Sequence, residues 1–154
     1  MKSETIADAR ALRDAVRRLI VAHGVLDEGR RPCGTPLSAP HAWALLELRE
    51  RGALTVTALA GRLQIDRTNV SRLCARMEAA GDVERVAHPL DGRARLVRLS
   101  RKGRRLAAAV DAASAEHFAA VAGRLGAEVA GVVRTLEALE RAMAASRPEA
   151  EEVP

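Results

Sequence analysis

One change of period constrains this chain more than any other feature. Apolar residues recur every three or four positions up to Gly81, become extended and polar-interleaved from Val83 to Leu99, and return to the helical spacing after Ser100. A pattern with helical period does not sit as a strand, nor the reverse. The chain is therefore expected to be mainly α with a small β-hairpin set between helices.

The punctuation sharpens that reading. Ile6, Ala9, Leu12, Val16, Leu19 and Ile20 line one face of a first helix, 4–23, which Gly24 stops. Residues 24–40 are rich in Gly, Pro and charge and read as a loop. Ser38 is placed to cap a second helix that ends near Gly52, with Pro40 in its tolerant first turn. Thr55 caps a short helix, 56–63, and Asp66 caps the next, 67–80, which Gly81 ends. Three short helices with tight connections fit a helix-turn-helix unit. Strands are expected at 83–88 and 94–99 around a tip at 89–93, and a hairpin in that place is a wing. Ser100 caps a long helix, 101–125, and a last helix follows over 128–145.

Composition narrows the function classes. The 154 residues are 48% apolar, enough for a core, yet no apolar run reaches the ~20 residues of a membrane span. The N-terminus lacks the apolar stretch of a secretory signal, so a cytoplasmic location is expected. One Trp, one Phe and no Tyr argue against readers that stack single-stranded bases on aromatic platforms. Cys33 and Cys74 have neither disulfide-framework nor zinc spacing, and the four histidines have no metal-ligand spacing, so no cofactor or metal is expected. No phosphate-binding glycine loop, nucleophile elbow or H-E-x-x-H is present, which speaks against an enzyme. The positive charge is concentrated: residues 62–105 hold 12 basic and 5 acidic side chains, whereas the rest of the chain is slightly acidic. That is the distribution of a nucleic-acid footprint.

The run from Leu54 to Gly103 resembles the multiple antibiotic resistance regulator (MarR) family of transcription factors. The resemblance is carried by Leu59, Ala60 and Leu63, by the VSRL stretch at 70–73 and by EAAGDVER at 78–85. Asp91-x-Arg93 in the wing and the LS-x-x-G helix start at 99–103 complete it. The resemblance implies a winged helix-turn-helix with N- and C-terminal helices forming a dimerisation region. Its boundaries would be a DNA-binding lobe over 37–103, dimerisation helices over 1–36 and 104–146, and a disordered tail over 147–154, in one domain, 1–154. It implies a sequence-specific double-stranded DNA-binding regulator, a repressor by expectation, acting as a homodimer on an inverted-repeat operator.

The N-terminal part of a recognition helix enters the major groove. Arg67, Thr68, Asn69, Ser71 and Arg72 are the candidates there, with Arg76 one turn on; Val70, Leu73, Cys74 and Met77 share the side expected to pack inward. The resemblance assigns Arg93 to the adjacent minor groove, with Arg95 as the alternative. Asp91 is expected to pair with an arginine and order the tip. Arg101, Lys102, Arg104 and Arg105 oppose the dipole of the helix they start. Either they contact phosphates or they pair with acids such as Glu78 and Glu84.

Family members often bind a small aromatic anion between the dimer helices and the DNA-binding lobe. That crevice would fall here to His23, His41, Trp43 and Phe118, with Arg17 or Arg18 as anion partner. The favoured alternative is that Trp43 and Phe118 fill the core. Cys33 lies beside Arg30 and Arg31, which would lower its thiol pKa and suit a redox sensor. A non-specific architectural DNA binder is the remaining alternative.

Overall fold

The computed structural model describes residues 2–25 and 35–146. Its elements are α1 (Lys2–His23), α2 (Ala39–Arg51), α3 (Val56–Leu63), α4 (Arg67–Ala79), β1 (Val83–Ala87), β2 (Arg95–Leu99), α5 (Arg101–Leu125) and α6 (Val129–Ala145). A 3-10 turn, Gly126–Glu128, precedes α6. The chain divides into two compact units, 1–116 and 117–154.

The first unit holds the core. Leu45 and Leu48 of α2 meet Leu59 of α3, then Val70, Leu73, Cys74 and Met77 of α4. Val83, Val97 and Leu99 close it from the hairpin, and Ala107 and Val110 from α5. The core is aliphatic, apart from Cys74 and Met77. Trp43 is 38% exposed and Phe118, in the second unit, 46% exposed. The expectation that they fill the core is corrected. The enclosed positions of α2 are Ala39, Ala42, Ala44, Leu45 and Leu48, and the core they join is filled by aliphatic side chains together with Cys74 and Met77, without either ring.

Each turn has a local cause. Gly52 and Gly81 adopt φ of 80° and 75°, the left-handed region that favours glycine. The turn between α3 and α4 passes instead through Gln64 at φ 55°, and its side-chain amide donates to Gly61 O at 2.6 Å. Thr55 caps α3 by accepting the Ala58 N–H at 3.1 Å. Ser38 occupies the cap position of α2, but its side chain makes no capping bond. That part of the capping expectation is corrected: proline in the first turn removes a donor that a cap would serve.

The hairpin is antiparallel, in register from Val83 opposite Leu99 to Ala87 opposite Arg95. A further bridge joins it to the α2–α3 connection, with Leu54 N–H to Val97 O at 3.0 Å and Val97 N–H to Leu54 O at 2.7 Å. The wing is thus anchored to the helical core at its base.

The terminal helices differ in kind. No described residue of α1 or α6 is buried. Ile6, Leu12, Leu19 and Ile20 stand exposed on α1, and Val133, Leu136 and Met143 on α6.

Candidate nucleic-acid interface

α4 owes its position to two sequence features. Asp66 starts it, accepting the Asn69 backbone N–H at 2.9 Å, and Val70, Leu73, Cys74 and Met77 bury one face. The Asn69 N–H, aided by the Asn69 side-chain amide, holds the Asp66 carboxyl below its ordinary pKa. The side-chain amide of Asn69 is therefore engaged at the cap. The opposite face leaves Arg67, Thr68, Ser71, Arg72 and Arg76 exposed. Arg67, Thr68, Ser71 and Arg72 line a shallow depression of about 360 Å³.

The wing tip is ordered from within. Asp91 Oδ1 accepts the backbone N–H of Arg93 at 3.0 Å, and Asp91 O accepts that of Ala94 at 3.1 Å. His88 N–H donates to Ala94 O at 3.1 Å and closes the loop. Asp91 does order the tip, but through a backbone turn and not through an arginine side chain. Its Oδ1 closes an Asx turn on the Arg93 N–H, and among the described residues no arginine side chain lies within salt-bridge reach of Asp91.

The arginines sort into two sets. Glu47 takes Arg62 at 3.0 Å and Arg51 at 3.2 Å, and Asp111 takes Arg49 at 2.7 Å. Burial raises the Glu47 carboxyl, but the two guanidinium groups outweigh it and hold the pKa below its usual value. Glu78 takes Arg85 at 3.1 Å, and Glu84 takes Arg98 at 2.8 Å. Of the two alternatives for the cations that start α5, pairing with Glu78 or Glu84 is thereby excluded. The strand arginines are nearer, one across the hairpin and one folded back on α4, and they claim them. Among the described residues of the lobe, Arg67, Arg72, Arg76, Arg93 and Arg95, with Arg101, Arg104 and Arg105 at the start of α5, have no acidic partner within salt-bridge reach; among those outside it, Arg10, Arg17 and Arg18 of α1, Arg124 of α5 and Arg134 and Arg141 of α6 have none either.

Asp82, which the sequence did not single out, joins α4, the hairpin, α2 and α5. Its side chain is 3% exposed. Oδ2 meets His41 Nε2 at 3.2 Å, and Lys102 Nζ lies 2.9 Å from Oδ1 as an ion pair. The directional bond of Lys102 goes to Ala80 O, at the C-terminal end of α4, where a cation suits the helix dipole. Ser100 Oγ donates to Gly81 O at 2.6 Å and accepts the Gly103 N–H at 2.9 Å. Arg104 donates to Leu99 O at 3.1 Å. Gly103 must be glycine, because a Cβ there would stand 1.8 Å from Asp82 O. The one available sequence signal was an acid at 82 between a helix-stopping glycine and an inward valine.

Of the remaining candidates, only His41 joins the hydrogen bonds and ion pairs just described. Cys74 is buried, and burial pushes its thiol pKa up despite Arg85. Cys33 lies outside the described residues. His41 is committed to Asp82 and 18% exposed. Trp43 shares α2 with His41, whereas Arg17 and His23 lie on α1, Arg17 exposed and His23 half-buried. Phe118, in the second unit, stands edge-on to His117 with ring centroids 5.3 Å apart. Among the described residues no group of His, Cys, Asp and Glu is arranged to hold a metal ion, and no helix is long and apolar enough to cross a membrane.

A helix with an arginine face, seated on two others and followed by an anchored hairpin with a cationic tip, defines a winged helix-turn-helix protein. Residues 35–94 match the profile of the MarR family. An HTH-type transcriptional regulator of Mycobacterium tuberculosis is 36% identical over 85 residues, which are 55% of this chain and 59% of that protein. The chain thus spans under two thirds of the curated relatives it matches. Solved structures resemble it over a greater length. A MarR family protein from Bacillus stearothermophilus superposes with a TM-score of 0.65 at 25% identity, over 94% of this chain and 99% of that one. The PcaV transcriptional regulator of Streptomyces coelicolor, solved with its natural ligand, gives a TM-score of 0.68 at 25% identity, over 86% and 92%. The winged-helix segment of this chain thus matches the MarR family, and the solved structures share its fold.

Proposed function

We propose that this protein is a transcriptional regulator that binds double-stranded DNA as a homodimer and is released by a small ligand. The observation that carries the reading is the sorting of the arginines within the winged-helix lobe. Those of α2, α3 and the strand bodies are neutralised by acids, whereas those of α4, the wing tip and the start of α5 are left without acidic partners. Unpaired guanidinium groups on a helix face and a hairpin tip are suited to phosphates and base edges.

In this reading residues 37–103 are the DNA-binding lobe. Arg67, Thr68, Ser71 and Arg72 enter the major groove, with Asn69 and Arg76 flanking them. Arg93, with Arg95 beside it, takes the minor groove, and Arg101 and Arg105 contact phosphates. The segments 1–36 and 104–146 form the dimer, whose recognition helices lie ~34–36 Å apart on an inverted repeat. Support for the dimer comes from the exposed apolar faces of α1 and α6, which nothing in their own units covers. Support for a ligand comes from the PcaV regulator, solved with one. His23, His41, Trp43, Phe118 and Arg17 are the residues to vary first in seeking it. The expected role is repression in the cytoplasm by occupying the operator.

The test is selection of bound duplexes from random and genomic libraries at fixed salt, followed by titration against unrelated duplex. Specific binding exceeds non-specific binding by ~10³-fold or more. Equal affinity for both would leave an architectural binder. Loss of selected-duplex binding on mild oxidation, abolished in Cys33→Ser, would favour the redox alternative.

A further inference from the structure

The described residue whose exposure is hardest to explain is Leu90. It is 92% exposed, at the tip of the wing. The next most exposed large apolar side chain, Val21, is 59% exposed, and it and the others lie on or beside helices. Dimerisation through the end helices offers those side chains a partner. It offers none to a hairpin tip. Scattered apolar residues are common on protein surfaces, but this one is presented by a loop with defined structure. The Leu90 N–H donates to His88 Nδ1 at 3.1 Å, and the Asp91 turn and the His88–Ala94 bond fix the chain on either side. Arg93 and Arg95, both unpaired, follow within five residues.

We infer that Leu90 is an apolar contact of the wing with the DNA minor groove, seated against the deoxyribose walls beside the arginine that enters it. The inference rests on the DNA-binding reading above. Sugar C–H groups line the minor groove, and leucine is among the side chains that minor-groove proteins press into it. A guanidinium supplies attraction to the groove's negative potential. A leucine on the same tip adds burial that is insensitive to salt. The fixed tip means that little conformational freedom is lost when it docks.

The experiment compares full-length wild type, Leu90→Ala, Leu90→Met and Arg93→Ala on a duplex selected by the wild type from a random 30-base-pair library. Affinity is measured across a series of salt concentrations, with melting temperature and sedimentation as controls. Leu90→Ala is expected to bind about tenfold more weakly, ~1.4 kcal/mol, with the salt slope unchanged. Leu90→Met restores most of the loss. Arg93→Ala lowers the salt slope by about one. Wild-type affinity in Leu90→Ala, a salt slope that falls with it, or a change in its oligomeric state would overturn the role of Leu90 alone. A wild type that selects no duplex would overturn the DNA-binding reading and this inference together.

Discussion

The winged-helix lobe and the terminal helices solve the problem of apolar surface in opposite ways. In the lobe, Leu45, Leu59, Val70, Met77 and Val97 are fully enclosed by neighbours from helices and hairpin alike. On α1 and α6 the same residue types stand at the same helical spacing and remain open to solvent. An apolar stripe shows only that a helix has a face to cover. Whether that face is covered from within the chain or from outside depends on what the chain folds beside it. The lobe is complete in itself, whereas the ends await a partner, here proposed to be a second copy.

Predictions follow that contrast, beginning with the largest effect. Leu45→Ala in the lobe should cost about 3 kcal/mol of unfolding free energy, measured by denaturant titration at fixed protein concentration. A cost below ~1 kcal/mol would mean that the lobe collapses around the gap and is less specifically packed than it looks. Gly103→Ala should cost about 2 kcal/mol, because the start of α5 must lift away from Asp82. Leu136→Glu on α6 sharpens the comparison from the other side. It should leave the far-ultraviolet signal of the lobe intact and shift sedimentation from dimer towards monomer; an unchanged dimer would place the interface elsewhere.

Two smaller effects test how the lobe's own elements start. Thr55→Ala should cost about 1 kcal/mol through loss of the α3 cap. Asp66 should show itself through acid. Its carboxyl is held below the ordinary 3.8 by the Asn69 N–H, so the stabilisation is present above that value and fades as pH falls through the lower, folded one. The melting temperature of the wild type should therefore drop more than that of Asp66→Asn as the pH is lowered below 3.8. Parallel curves would mean that the cap charge contributes nothing.

Most of the element order was legible because its signals are local. Caps at Thr55 and Asp66, stops at Gly52 and Gly81, and the change of period after Gly81 act within a few residues. Boundaries moved by a residue or two, as at Lys2 and Val129. The buried side of α4 followed from helical spacing. The partners of charged groups did not. Whether Glu78 and Glu84 pair with the start of α5 stayed open in the sequence and was decided by the strand arginines that hold them, and the meeting of His41 with Asp82, 41 residues apart, left no mark in the chain. Trp43 and Phe118 were misplaced for a related reason, since hydrophobicity does not say which neighbours arrive.

Local signals in the chain set where helices and strands begin, which face of each is apolar, and the gathering of positive charge in its middle. Backbone propensity and side-chain period act over one turn of chain, and a reader can follow them residue by residue. Which arginines are neutralised, which apolar faces are covered, and why Asp82 and Gly103 must meet were settled by packing. Those outcomes depend on distances between segments far apart in the chain, and such distances exist only once it has folded.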